Sequence, residues 1–451
     1  MKKEIRLSQC MIVKNEEKNI ERALSWGKSF MWEQIVVDTG STDRTVEIAR
    51  RLGAKVYHFE WIDDFAAAKN YAVSQAQGDW IVFLDADEYF LEEDAKRLVP
   101  LLEKLEGTKY NALVTRWVQV EGSEELSSGG PQGNTQWVSA VRADGSTGTL
   151  FSGTQTRIFR NQPGLRYRGR VHEKLYVEHG KLWESDAGGE LSILHTGYSE
   201  AEMKEKDKAG RNIALIKKEL EANPKDHVML SCLGDSYSQQ GNKEEAARWY
   251  EQAVSCMPKR PDENDALCSG IFRNLMAIYV MRQDVSAVQK VYETAVKRFP
   301  KEPDYDYILG GKCISLGLYK EGAEHLQRAL TLLDLYGSEN KAIMLTHNLM
   351  RVWELLAVCH FESGDLEQCV NCAVAVLRVD PWRMGTLQEL LLAFKTDEER
   401  ARAAGTPGKA ASPAQVQAFL GSLYDLRQPE AAEFVKKAAE GASYAGLVRL
   451  L

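Results

Sequence analysis

The first 90 residues alternate short apolar runs, rich in β-branched residues, with stretches of helical pattern. Hydrophobic periodicity predicts strands over residues 7–13, 34–37, 55–59 and 80–84, and helices over residues 17–28, 43–52 and 65–77. This βαβ rhythm predicts a mainly parallel sheet that is buried on both faces. Ligands of such sheets bind beyond the carboxyl ends of the strands, so the residues that directly follow each strand are the first candidates for chemistry.

The length and charge of the chain limit what else it can be. At 451 residues it exceeds one ordinary hydrophobic core, which predicts two domains. Its formal net charge of -8 argues against a nucleic acid held by neutralisation of phosphates. No apolar run approaches the roughly 20 residues of a membrane span, and the opening residues are too polar for a secretory signal. We therefore expect a cytoplasmic protein with no membrane span and no nucleic-acid partner.

The strongest chemical signal is the segment 82–88, Val-Phe-Leu-Asp-Ala-Asp-Glu. A buried strand here delivers the carboxylates of Asp85 and Asp87 to its carboxyl end. Burying two acids costs free energy unless cations meet them. Hard oxygen ligands suit Mg²⁺ or Mn²⁺, which can also bridge to the diphosphate of a nucleotide. The sequence therefore predicts a divalent metal shared by Asp85 and Asp87.

Another acid, Asp38, directly follows the strand predicted at 34–37 and begins the segment Asp-Thr-Gly-Ser-Thr-Asp. Its carboxylate is positioned to accept a hydrogen bond from a nucleotide base or ribose. Gly40 is expected to serve the tight turn, and Thr42 and Asp43 to cap the next helix.

Taken in order, these motifs resemble the family-two inverting glycosyltransferases, which have the GT-A fold. The segments that carry the resemblance are Met-Ile-Val-Lys-Asn-Glu at 11–16, Val-Asp-Thr-Gly-Ser-Thr-Asp at 37–43, Ala-Lys-Asn at 68–70 and Gly-Asp-Trp at 78–80 with Asp-Ala-Asp at 85–87. The resemblance covers about residues 5 to 200. It implies an α/β GT-A domain, Rossmann-like with a mainly parallel sheet, over residues 1–199, with a UDP-sugar as donor.

The resemblance also implies a set of donor-binding residues. They are Val13, Asn15, Glu16, Asp38, Lys69, Asn70, Asp85 and Ala86. The family often has arginine at the position of Lys69, and lysine keeps the charge but lacks the planar fork. For Asn15, a role in the loop or as a helix cap competes with a role in the pocket.

Two later histidines extend the resemblance. A subset of these transferases, including lipopolysaccharide-core enzymes and the peptide S-glycosyltransferases of glycocin biosynthesis, is similar to this chain in its Val-His-Glu segment at 171–173. In that subset a later histidine is a metal-side ligand, which implies this role for His195 beside Asp85 and Asp87. The alternative is that His195 is a packed strand-end residue.

Inverting transfer needs a base that takes the proton of the acceptor. Glu173 is the first candidate, Glu88 is its rival, and His172 is the third candidate for the catalytic set. The alternative for Glu173 is a structural ion pair with Arg168 or Arg170.

The pattern changes after residue 200. A charged helix is predicted over residues 200–221 within a linker at 200–225, and it ends before Asn223-Pro224. The positions that follow match the spacing of a tetratricopeptide helix pair: Leu233, Gly234, Tyr237, Ala246, Tyr250, Ala253 and Pro258. Three weaker copies predict an all-α repeat domain over 226–385, followed by capping helices over 386–451. Such repeats form grooves for peptides or proteins and can also support a homo-oligomer.

Two further segments are less informative. Residues 121–150 are rich in glycine, serine and threonine, which predicts a long loop that is either a lid or disordered. The Cys-x-x-Cys at 369–372 has no second pair, so we interpret it as buried reduced thiols rather than as a metal site.

The leading hypothesis is a metal-dependent inverting glycosyltransferase. It would move a hexose or N-acetylhexosamine from a UDP-sugar to a Cys, Ser or Thr side chain of a peptide or protein bound by the repeats. One alternative keeps the enzyme but makes a saccharide or a lipid-linked envelope glycan the acceptor. The other is a non-catalytic tetratricopeptide scaffold.

Overall fold

The structure, a computed structural model, describes residues 4–120, 137–141, 147–196, 208–337 and 342–451. The chain folds as two compact units, Met1–Cys256 and Met257–Leu451. The first unit begins with β1 (Leu7–Val13), α1 (Ile20–Ser25), β2 (Glu33–Asp38), α2 (Thr45–Arg51), β3 (Lys55–His58), α3 (Phe65–Gln75) and β4 (Trp80–Phe83). The βαβ rhythm predicted from the sequence is confirmed.

The rest of the α/β region is richer in strands than the sequence predicted. It contains β5 (Glu88–Phe90), α4 (Glu92–Leu105), β6 (Ala112–Gln119), β7 (Trp137–Val141), β8 (Thr147–Arg160), β9 (Leu165–Arg168), β10 (Lys174–Val177), β11 (Glu184–Asp186) and β12 (Ser192–His195). The long loop predicted over 121–150 is wrong where the structure describes it, because β7 and the start of β8 pair there as antiparallel strands. The rest of that segment lies outside the described residues.

The main sheet has the strand order β3-β2-β1-β4-β8-β6-β12-β5. The first four strands are parallel, as predicted. β8 then runs antiparallel to both β4 and β6, and β12 pairs parallel with β6 and antiparallel with β5. The sheet is therefore mixed, with a parallel half of Rossmann type. β9 and β10 form a separate two-stranded sheet.

The core explains why β4 is a continuous apolar run. Trp80 and Val82 pack on one face of the sheet with Leu7, whereas Ile81 and Phe83 pack on the other. A strand that is buried on both faces has no polar side, which is typical of the interior of a parallel sheet. The apolar run ends where β4 leaves the sheet, and the acids of the Asp-x-Asp motif follow there.

Helices complete the first unit: α5 (Lys208–Ala222), α6 (His227–Gln239) and α7 (Lys243–Cys256). α6 and α7 form the helix pair that carries the tetratricopeptide positions. A Cβ on Gly234 would lie 2.6 Å from a ring carbon of Tyr250, so only glycine allows this approach. The small-aromatic spacing of the sequence thus corresponds to a close helix contact.

The second unit is helical throughout its described residues. It contains α8 (Ala266–Met281), α9 (Val285–Arg298), α10 (Pro303–Ser315), α11 (Tyr319–Tyr336), α12 (Ile343–His347), α13 (Leu349–Glu362), α14 (Leu366–Val379), α15 (Met384–Ala403), α16 (Pro413–Leu420), α17 (Pro429–Gly441) and α18 (Ala445–Val448). One apolar core joins the repeat-like helices from α11 onward with the last helices. Among the described residues, no helix is long and apolar enough to cross a membrane. The domain boundaries given above stay predictions.

Candidate active site

The residues proposed from the sequence gather around one edge of the sheet. β1 ends at Val13, β2 ends at Asp38, and β4 is followed by Leu84 and Asp85. β1 lies between β2 and β4 and is parallel to both, so the three strand ends meet at the same edge. Val13 is buried, and its carbonyl accepts a hydrogen bond from the N–H of Thr39 at 2.9 Å.

Asp38 organises the turn that follows β2. Its Oδ1 accepts from the N–H of Ser41 at 3.0 Å, and its Oδ2 accepts from the N–H of Gly40 at 3.3 Å. Gly40 has a φ of 109°, which glycine adopts without strain. Nδ1 of the exposed His58 also lies 3.3 Å from Oδ2. The carboxylate expected to bind a base or ribose is therefore already held by three contacts within the protein.

Asn15 and Glu16 join the loop after β1 to the loop after β2. Oδ1 of Asn15 accepts from the N–H of Thr42 at 2.8 Å, and its own N–H donates to Oγ of Ser41 at 2.9 Å. The N–H of Glu16 donates to Oγ1 of Thr45 at 2.7 Å. The loop role left open for Asn15 is thus present, and its pocket role stays a prediction.

Lys69 is the buried cation of the site. It is 3% exposed on α3, and its Nζ lies 2.6 Å from Oε1 of Glu173 and 3.6 Å from Oδ1 of Asp85. The ammonium also lies over the rings of Phe83 and Tyr167, at 5.0 and 5.4 Å from the ring centres. Three residues proposed separately, from α3, from the end of β4 and from the segment after β9, are therefore in one cluster.

Asn70, next to Lys69, has a structural partner. Its Nδ2 donates to the carbonyl of Tyr167 at 2.9 Å, and its Oδ1 accepts from the N–H of the same residue at 2.8 Å. These paired bonds fasten β9 to α3. Arg168 stacks over Tyr176, with its guanidinium carbon 3.4 Å from the ring centre, and the partner of Glu173 is Lys69.

Arg157 connects the first acid of the motif to Glu88. Its Nη2 lies 2.9 Å from Oδ2 of Asp85 and 2.6 Å from Oε1 of Glu88. Burial alone would raise the pKa of Asp85, but the charges of Lys69 and Arg157 outweigh it and hold that pKa well below its usual range. Glu88 is 1% exposed, and its burial raises its pKa. We call Lys69, Asp85, Glu88, Arg157 and Glu173 the buried ion cluster; four of these side chains are at most 14% exposed, and that of Asp85 is 38% exposed.

The second acid of the motif has a different partner. Oδ2 of Asp87 lies 3.4 Å from Nε2 of His195, and Nδ1 of His195 lies 2.9 Å from Oε1 of Gln119. Strand register explains why Asp87 and His195 are close. β12 places His195 beside Gln119 on one side and beside Glu88, the neighbour of Asp87, on the other. Ala86, between the two acids, is buried in the core beside β1.

His172 occupies a strained position. Its φ of 53° lies in the left-handed region, which residues other than glycine seldom adopt. The side chain is exposed and stands next to Glu173 in the chain. Such strain persists only where the surrounding structure holds the backbone in place.

The residues present fit a divalent metal only in part. Among the described residues, no group of three or more His, Cys, Asp or Glu side chains is arranged to hold an ion. Asp87 and His195 are close enough to bind one ion together, whereas Asp85 faces Lys69 and Arg157. Mg²⁺ is commonly held by one or two carboxylates with substrate phosphates and water as further ligands, so a pair of protein ligands is sufficient.

The sequence reasoning missed Arg157, Tyr167 and Gln119. Arg157 lies in β8 beside the buried Ile158 and Phe159, and a charged residue next to such an apolar pair was the available signal. Nε of Arg157 and Oη of Tyr167 are buried without a hydrogen-bond partner among the described residues. Buried polar atoms usually find a partner, so a polar ligand or water can satisfy these two.

Fold and site together define the class. The chain has an N-terminal α/β domain of GT-A type, with acids after β4 at the edge of a largely parallel sheet, and a C-terminal helical region of tetratricopeptide type. Residues 8–137 match the model of glycosyl transferase family 2, and residues 229–260 match a tetratricopeptide repeat. Residues 8–137 are therefore similar to family 2 glycosyltransferases, and helices of tetratricopeptide type follow.

Curated relatives are named after one or the other of these two features. A TPR repeat-containing protein of Synechococcus elongatus is 31% identical over 254 residues, which are 55% of this chain and 56% of that protein. The glycosyltransferase SunS of Bacillus subtilis is 25% identical over 300 residues, 66% of this chain and 64% of the relative. An uncharacterized glycosyltransferase of Rickettsia typhi is 43% identical over 88 residues, 20% of this chain and 30% of that protein. The matches thus span less than two thirds of each relative.

Proposed function

We propose that this protein is a metal-dependent inverting glycosyltransferase that transfers a hexose or N-acetylhexosamine from a UDP-sugar to a Cys, Ser or Thr side chain of a peptide or protein. The observation that carries the proposal is the arrangement at the end of β4, where the buried ion cluster lies beside the Asp87–His195 pair. The family 2 match over residues 8–137 supports the reaction class.

The charge of the site favours a cation and a phosphate group together. With all groups ionised, the acids Asp85, Asp87, Glu88 and Glu173 outnumber the cations Lys69 and Arg157 by two. Protonation of Glu88, whose pKa is raised by burial, lowers the excess to one. A divalent ion at Asp87 and His195 would offset this charge and stabilise the negative charge that develops on a departing nucleotide diphosphate.

Glu173 is the better candidate for the base. Glu88 is 1% exposed and contacts both Arg157 and the N–H of Asp85, whereas the side chain of Glu173 is 14% exposed. A base must reach the proton it removes, so the more accessible carboxylate is favoured. Lys69 orients Glu173 through Oε1. His172 is exposed beside Glu173 and is proposed to contact the acceptor.

The repeat region supports a peptide acceptor. Tetratricopeptide arrays present grooves for extended or helical peptides. The tetratricopeptide match at residues 229–260 supports a bound protein or peptide, and the similarity to the glycosyltransferase SunS supports sugar transfer. A cysteine acceptor would also place the smallest demand on the base, because about a few per cent of a free thiol is already thiolate at pH 7 and the thiolate is a strong nucleophile.

Incubation of the purified protein with UDP-, GDP- and dTDP-sugars tests the proposal. Release of nucleotide would be measured in reactions with Mg²⁺, with Mn²⁺ and with a chelator. Transfer to acceptor peptides that contain Cys, Ser or Thr would be detected by the mass of the product. We expect release from a UDP-sugar only with metal, and a peptide that gains one sugar. Transfer to a free saccharide but to no peptide would favour the envelope-glycan alternative. Absence of nucleotide release from every donor would favour the scaffold alternative.

A further inference from the structure

Helix α5, which precedes the repeat helices, contacts the α/β domain at two points that both lead to the buried ion cluster. Nζ of Lys218 pairs with the carboxylate of Asp63, and Oε2 of Glu219 accepts from the backbone N–H of Arg170 at 3.4 Å. Nε of Arg170 also lies 3.9 Å from Oε2 of Glu219. Two neighbouring residues of one helix thus hold two separate segments of the domain.

Those two segments carry the opposite members of one ion pair. Asp63 lies six residues before Lys69, at the entry to α3, and Arg170 lies three residues before Glu173. Nζ of Lys69 is 2.6 Å from Oε1 of Glu173. Any movement of one segment relative to the other therefore changes the geometry of this pair.

The two segments are also hydrogen-bonded to each other, and we call this contact the seam. The N–H of Phe65, the first residue of α3, donates to the carbonyl of Arg170 at 2.9 Å. Nη1 of Arg170 donates to the carbonyl of Asp63 at 3.4 Å and lies 4.0 Å from the carboxylate of Asp64. Arg211 of α5 lies over the ring of Phe65, 5.1 Å from its centre. α5 thus covers the seam with one cation–π contact and two ion pairs.

Backbone conformation indicates that the seam needs support. Asp63 has a φ of 58° and His172 a φ of 53°, both in the left-handed region. Residues in such conformations persist where surrounding contacts fix them.

We propose that Lys218 and Glu219 are positioning residues that clamp the entry of α3 to the segment 169–173, and so hold Lys69 and Glu173 in the geometry needed for transfer. The inference rests on the proposed function, in which Glu173 is the base. Lys217 of α5 also donates to Oη of Tyr237 on α6 at 3.0 Å, so α5 is the element that couples the first repeat helix pair to the site of chemistry. Catalysis is sensitive to displacements of an ångström, although exposed ion pairs contribute little to stability.

The test is the double variant Lys218→Ala/Glu219→Ala, compared with Glu221→Ala as the matched control. Glu221 is an exposed acid on the same helix. Amide hydrogen exchange of the full chain reports the seam directly through the N–H groups of Phe65 and Arg170. We expect exchange at both to be several-fold faster in the double variant and unchanged in the control. We also expect kcat to fall about tenfold with the KM for the acceptor peptide unchanged.

A second variant separates the charge from the hydrogen bond. Glu219→Gln keeps an oxygen that can accept from the N–H of Arg170 but loses the attraction for its guanidinium. The increase in exchange rate and the fall in kcat should therefore both be smaller than in the double variant. Exchange that matches the wild type in the double variant would overturn the clamp, and faster exchange with unchanged kcat would overturn its positioning role. If the wild type transfers no sugar, the proposed function fails, and the exchange rates still decide whether the clamp exists.

Discussion

The guanidinium of Arg157 donates to the carboxylate of Glu88 at 2.6 Å, in a place where Glu88 is 1% exposed. The same nitrogen reaches Asp85 at 2.9 Å, so one cation serves two acids that come from opposite ends of the Asp-x-Asp turn. Burial opposes the charge of Arg157, but Glu88 and Asp85 outweigh it and raise the pKa of the guanidinium. Arg157 is therefore a fixed charge at the base of the site.

Replacement of Arg157 by methionine should destabilise the protein strongly. The variant keeps a similar side-chain volume but leaves the buried Glu88 without its cation and Asp85 with Lys69 alone, and an unpaired buried charge costs about 3–5 kcal/mol. Urea unfolding measures the loss. The added change Glu88→Gln removes one stranded acid and should restore part of the stability. A loss below about 1 kcal/mol for Arg157→Met would mean that the cation does not support the site.

Asp87→Asn should abolish metal-dependent release of nucleotide while the fold remains. Asparagine is similar in size but carries no charge, and His195 alone would bind the ion weakly. We expect His195→Gln to weaken the apparent affinity for Mn²⁺ about 10- to 100-fold. Donor hydrolysis across a Mn²⁺ titration, with electron paramagnetic resonance of the bound ion, measures both effects. Asp334→Asn, an exposed acid on α11, is the control. An unchanged titration curve for Asp87→Asn would exclude Asp87 as a ligand.

The sequence predicted the parallel half of the fold well because its signal is local. The apolar runs that became β1 to β4 are bounded by helical stretches, and their periodicity alone predicts the order of elements. β7 was missed because the glycine- and serine-rich composition around it is typical of a loop, whereas Trp137–Val141 pairs with β8. Pairing with a distant strand overrode the local preference.

The partners within the site required knowledge of strand register. Val82 pairs with Ile158, which brings Arg157 to the end of β4, and His195 pairs with both Gln119 and Glu88. Register between strands that are far apart in sequence cannot be read from motifs. The sequence therefore identified Asp85, and it could not show which cation this acid faces.

Gly234→Ala should weaken the first tetratricopeptide helix pair. The added methyl group would lie 2.6 Å from Cε1 and 2.7 Å from Cδ1 of Tyr250. Such overpacking costs about 1–3 kcal/mol. Thermal unfolding followed by circular dichroism measures the change. Gly311→Ala on α10 is the matched control, since a Cβ there meets nothing within 4 Å and should stabilise the helix by about 0.5–1 kcal/mol. Equal effects of the two substitutions would contradict the packing argument.

The thiols of Cys369 and Cys372 should be inert in the native protein. Burial raises the pKa of Cys369 to about 12 and that of Cys372 to about 11, so the reactive thiolate is scarce at neutral pH. We expect neither to react with a disulfide reagent such as Ellman's until a denaturant is added. Cys256 is half-buried and should react with the reagent in the folded protein. Cys256→Ser should remove that part of the rapid labelling. Rapid labelling of Cys369 in the folded protein would show that α14 opens readily.

Glu302→Gln should stabilise the protein more as the pH rises. Glu302 is 2% exposed, and its Oε1 accepts from the N–H of Ala342 at 3.1 Å. Burial and the charge of Asp304 raise its pKa above the ordinary 4.5, so the folded state favours the protonated form. Stability from this group is therefore complete below pH 4.5 and is lost as the pH rises through the raised pKa. Glutamine cannot ionise, so the difference in Tm between variant and wild type should grow by a few degrees from pH 4.5 to pH 8. Glu367→Gln, an exposed acid on α14, should show no such trend. The change of the Tm difference with pH is the decisive result, rather than the Tm difference at one pH. Loss of a hydrogen bond would shift the Tm by the same amount at every pH, whereas only the titration of Glu302 makes this shift depend on pH.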